Sequence, residues 1–116
     1  MPWYCYVSYF FGGAFLANAI PHFVSGMMGH PFQSPFAKPP GEGLSSSTVN
    51  VVWGGLNFVV AYLLLVCVGP FDLRDLRHVA AAGIPALAMS LFAARGFGRF
   101  NGGNHPTPSA SKSAAR

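Results

Sequence analysis

Asn18, His22, Asn50 and Asn57 put amide and imidazole side chains inside two predominantly apolar runs of the chain. Asn18 and His22 are four residues apart and Asn50 and Asn57 seven, so on helices each pair shares one face. An amide offers a donor and an acceptor, and an imidazole can donate, accept or titrate near neutrality. Such groups can cross-link helices, relay a proton, ligate a metal or haem, or hydrogen-bond a quinone carbonyl. Histidine is the group with the widest chemistry, which makes His22 the leading functional candidate.

Each sharper chemistry needs company that the sequence does not obviously supply. Haem held by two imidazoles requires a second histidine at the same depth. His30 falls beyond a helix stop at Gly29 and Pro31, and His78 is expected at the opposite end. No cofactor and no metal is therefore expected. The apolar runs contain no carboxylate, and HExxH, GxSxG and phosphate-cradling glycine motifs are missing. Asp72 and Asp75, interleaved with Arg74 and Arg77, read as a solvated, self-paired turn, and Glu42 is expected on the other side. The chain is thus not expected to be an enzyme, and no residue is assigned as catalytic. Cys5 and Cys67, without CxxC spacing, read as buried, inert thiols.

Three apolar stretches, 3–28, 49–68 and 79–94, position these groups, and none contains Lys, Arg, Asp or Glu. Charged residues are 9% of the 116-residue chain, against about 25% in soluble domains. A bilayer core about 30 Å thick takes roughly 20 apolar residues of helix. The expected fold class is an all-α membrane protein with three transmembrane helices, spanning about 3–28, 47–68 and 73–97. Residues 1–101 form the membrane domain, and the polar segment 102–116 reads as a disordered tail.

Helix 1 should stop where Gly29 takes a left-handed conformation and Pro31 forbids continuation. Pro21 removes the hydrogen bond to the Ala17 carbonyl and predicts a kink. Trp3, Tyr4, Tyr6 and Tyr9 suit a membrane interface. Ala17-Asn18-Ala19 looks like a signal-peptidase site, but no basic residue precedes the apolar stretch, which runs on past it. Residues 30–46 carry Pro31, Pro35, Pro39 and Pro40 and predict an extended loop, with Phe32 and Phe36 as interfacial anchors. Ser46 or Ser47 should cap helix 2, and Asp72 should cap helix 3.

Three spans put Lys38, Arg95, Arg99, Lys112 and Arg116 on one side and Arg74 and Arg77 on the other. The positive-inside rule then places the N-terminus outside and the C-terminal tail in the cytoplasm. With this topology Asn18, His22, Asn50, Asn57 and Arg95 can converge on a polar pocket opening to the cytoplasmic side. Gly54 and Ala61 continue the helix 2 stripe, and Ala82, Ala86, Ser90 and Ala94 form a small-residue ladder on helix 3. Both read as packing surfaces, with each amide contact worth about 0.6–2 kcal/mol.

Segments 18–24, 31–37, 39–46 and 50–54 (Asn-Ala-Ile-Pro-His-Phe-Val, Pro-Phe-Gln-Ser-Pro-Phe-Ala, Pro-Pro-Gly-Glu-Gly-Leu-Ser-Ser and Asn-Val-Val-Trp-Gly) resemble a group of small bacterial integral-membrane proteins of unassigned function. The resemblance covers about half of the chain and implies a bacterial inner membrane. It brings no substrate, cofactor or site residue. The expected role is an interaction or accessory subunit, a homo-oligomer or the companion of another membrane protein, touching lipid and no nucleic acid. The alternative is a small-molecule, quinone or proton-handling site around His22 in an oligomeric carrier or redox complex.

Overall fold

A computed structural model describes residues 1–106; the segment 107–116, most of the expected disordered tail, lies outside the described residues. The fold is all-helical: α1 spans Trp3–Met27, α2 Ser47–Tyr62 and α3 Leu76–Asn101. A five-residue π-helical turn, Leu63–Cys67, extends α2. All three helices are long and apolar enough to cross a membrane. The loop 28–46 pinches into two-residue antiparallel strands, β1 (Phe32–Gln33) and β2 (Leu44–Ser45), with Phe32 opposite Ser45.

Local chemistry fixes the boundaries. α1 ends where Gly29 takes φ +75, and the amides of Gly29 and His30 turn back onto the carbonyls of Gly26 and Ser25. Pro21 lies within the helical run without interrupting it. Ser46 caps α2, its Oγ accepting from the Val49 amide at 3.2 Å.

α3 departs from expectation at both ends. It begins at Leu76 instead of Leu73, and its cap is Asp75, whose Oδ1 accepts from the Arg77 amide at 2.9 Å. Asp72 caps the preceding turn instead, accepting from the Arg74 amide at 2.9 Å, and the Asp75 amide closes that turn on the Asp72 carbonyl. At the far end α3 continues past Phe97, because Asn101 Nδ2 bonds both Phe97 O and Gln33 Oε1. It stops at Gly102, at φ 93.

α2 and α3 both pack on α1 and hardly touch each other. Close approach explains why α1 is central. A Cβ on Gly54 of α2 would lie 2.6 Å from the Phe23 amide nitrogen of α1, and one on Gly13 of α1 would overlap the Ala82 carbonyl oxygen of α3. Only hydrogen fits at these two crossings. α1 and α3 run parallel, with α2 antiparallel to both, so the molecule has a loop end, bearing residues 28–46, and a turn end, bearing 68–75.

Candidate functional site

Helical periodicity delivers Asn18, His22, Asn50 and Asn57 to one seam between α1 and α2. Asn18 Nδ2 donates to Asn57 Oδ1 at 3.1 Å, and Asn57 Nδ2 donates to the Trp53 carbonyl at 2.8 Å. One turn nearer the loop end, His22 Nδ1 lies 2.9 Å from Asn50 Oδ1. Asn50 Nδ2 reaches the carbonyls of Phe32, Ser45 and Ser46 at 3.1–3.2 Å. Three carbonyl acceptors fix which way the Asn50 amide faces. Its oxygen therefore meets the imidazole, and Nδ1 of His22 must carry the proton and donate it.

This centre is closed. His22 is 2% exposed, Asn50 0% and Asn57 2%. Phe32 from β1 and Phe97 from α3 meet the His22 ring edge-on, at centroid distances of 5.4 and 5.8 Å. Gln33, buried beside them, bonds Asn101. His22 and Asn50 sit in a packed junction that ties β1, β2 and α2 to α1, while Asn18 and Asn57 border a cleft.

Arg95 does not join it. The side chain is exposed on α3, two residues from Phe97, hence about 200° around the helix from the residue that does face His22. The packing residues divide as well. Gly54 and Ala61 are buried, and Ala82 meets Gly13. Ala86 is half-buried, whereas Ser90 and Ala94 are exposed, Ser90 Oγ donating to its own helix at Ala86 O.

Two concavities flank the junction. A groove of about 830 Å³ runs between α1 and α3, with Ala17, Pro21, Phe32, Ser90, Ala94 and Phe97 on its walls and His30 and Asn104 at its mouth. Since Pro21 has no N–H, the Ala17 carbonyl on this wall lacks its usual helical donor. A second cleft, about 660 Å³, opens between α2 and α3, the two helices that do not meet. Its floor is α1 at Phe11, Phe15 and Asn18, and its walls are Trp53 and Asn57 on α2 and Ala88 and Phe92 on α3.

The turn end holds a second centre that the sequence did not reveal. Tyr9, expected at an interface, is fully buried, and His78 is 4% exposed. Their ring centroids are 5.3 Å apart, with Tyr6 and Phe71 packed on His78 at 5.9 Å each. His78 Nδ1 accepts from the Asp72 amide at 3.0 Å. The proton of the neutral ring must then sit on Nε2, 3.5 Å from Asp75 Oδ2. Arg77 holds the same carboxylate through Nε and Nη2 at 3.2 and 3.0 Å. Those bonds hold the Asp75 carboxyl well below its ordinary range, at about 2. Asp75 and His78, three apart across a helix start, were the available signal. Of the cysteines, Cys5 is buried here, while Cys67 is exposed, contrary to expectation.

Comparison with known proteins finds no family model, curated protein or solved structure that matches the chain significantly.

Proposed function

We propose that the chain is a three-span protein of the bacterial inner membrane that works as an interaction or accessory subunit, with no catalysis of its own. The α2–α3 cleft carries this reading. A closed three-helix bundle would bury all three inner faces, but here the second and third helices part over α1 and leave an apolar trough with the Asn18–Asn57 pair at the joint of floor and wall. In a bilayer a helix from a second copy or a partner membrane protein can fill such a trough, with amides and small residues as contacts. α3 offers it most surface, since only 6% of its most apolar window is buried within the chain. The skew of basic residues toward the loop end supports a cytoplasmic loop end, with the N-terminus and the turn end outside.

Ala88→Trp, which fills the cleft from α3, is expected to weaken association in mild detergent and in crosslinking. Leu91→Trp, on exposed surface outside the cleft, should not. Wild-type protein that stays monomeric at every concentration would remove this proposal's support.

The α1–α3 groove favours a second reading, a small-molecule, quinone or proton-handling site around His22, because its apolar lining includes Phe32 and Phe97, which pack on the His22 ring, and Pro21, which frees the Ala17 carbonyl. His22→Gln keeps a hydrogen-bonding group but cannot titrate. Ligand co-purification lost in both His22→Gln and His22→Ala would support this reading. Retention in both would oppose it.

A further inference from the structure

His78 is a buried titratable group that neither reading uses, and its geometry is specific. Its Nδ1 lone pair receives the Asp72 N–H at 3.0 Å, with the ring enclosed by Tyr6 and Tyr9 of α1 and Phe71 of the turn. This bond clips the 68–75 turn to the start of α3. The turn in turn covers α1: a Cβ on Gly69 would lie 2.7 Å from Tyr9 Oη and 2.8 Å from Cys5 Sγ.

We propose that the turn is an acid-sensitive clip, in which a proton taken from solvent onto His78 Nδ1 displaces the Asp72 amide and releases the turn from α1. Once both ring nitrogens carry protons, Nδ1–H and the Asp72 N–H are two donors facing each other, the ring buried at 4% exposure and Asp72 at the surface. A buried ring donor left without an acceptor destabilises the closed state. The released state can satisfy both, with water or with the Asp72 carboxylate, now bonded to the Arg74 amide.

The neighbouring groups fit a response to one proton. From α1 the titratable neighbours are the Tyr6 and Tyr9 phenols and, behind Gly69, the Cys5 thiol. From the turn and the α3 start they are Asp72, Asp75 and Arg77. Asp75 favours a cationic ring at Nε2, while its two bonds to Arg77 offset part of that attraction. Protonation is therefore drawn to Nδ1 without any bond in the closed state to receive it there. Because the released state binds one more proton, acid favours it, by up to about tenfold per pH unit.

Cys5 is the natural reporter, being buried under Gly69. In the full chain carrying Cys67→Ser, Cys5 modification by 4,4′-dithiodipyridine, scaled to the rate of free cysteine at each pH, should rise as pH falls from about 8 to 5. Exchange of the Asp72 amide, corrected for its intrinsic rate, should follow the same course. His78→Asn supplies an acceptor oxygen near the Nδ1 position and cannot titrate, so its profile should stay slow and flat. A flat wild-type profile in either readout, or a slope retained in H78N, overturns the proposal.

Discussion

His22 and His78 sit at opposite ends of the bundle and use the same ring nitrogen in opposite senses. At the loop end Nδ1 donates to Asn50, whose own amide is locked by three carbonyls. At the turn end Nδ1 accepts from a backbone amide. Adding a proton to His22 goes to Nε2 and leaves its bond intact, whereas adding one to His78 removes the bond. Two buried histidines of similar exposure thus differ in what acid does to them. Partner chemistry decides, not burial.

The loop end should therefore behave as scaffold, and substitutions there should cost stability. The largest effect is expected from Gly54→Leu, which forces a side chain into the Phe23 backbone of α1. Overpacking ordinarily costs about 1–3 kcal/mol, and contact with a helix backbone puts this variant at the top of that range or beyond. Thermal unfolding in detergent should show loss of the α1–α2 contact itself and not merely of self-association.

Asn50→Leu comes next. It strands the His22 donor and unpairs the Phe32 and Ser45 carbonyls, at about 1–3 kcal/mol per buried group left without a partner. Asn57→Leu removes a single interhelical amide pair and should cost only about 0.6–2 kcal/mol. Equal losses for the two, measured by the same unfolding assay, would break the view of Asn50 as the hub.

The smallest effect belongs to the turn end at low pH. Asp75, held at about 2 by its bonds to Arg77, contributes stability to the α3 start that is fully present above about pH 4 and is lost as pH falls through 2. Asp75→Asn should abolish that acid step and lower the unfolding temperature at pH 7 by the same small amount, since the Arg77 pair is exposed.

Much of the fold is legible in the sequence because lipid demands long uncharged runs, and the three helices lie within a few residues of where those runs place them. Spacing also puts Asn18 and His22 on one face of α1 and Asn50 and Asn57 on one face of α2, and which residue meets which across the seam is seen only in the fold. Arg95 is misplaced because its position along the chain fixes its depth but not its azimuth, and two residues of helix turn it away from Phe97. Tyr9 is misplaced for a related reason. An aromatic near a helix end reads as an interfacial anchor, and nothing local shows that Gly69 and Phe71 fold back over it. Contacts between a turn and a helix 60 residues earlier carry no periodic signal. The α3 start shifted because two aspartates compete to cap it, and the local turn takes the first.

Nitrogen NMR of the protein labelled with ¹⁵N-histidine, near neutral pH in nanodiscs, tests the contrast between the two ends most directly. Of the four histidines, His22 should carry its proton at Nδ1 and His78 at Nε2, each assigned by loss of its signal in His22→Asn and His78→Asn. The same tautomer at both positions would contradict the division into a fixed loop end and an acid-sensitive turn end.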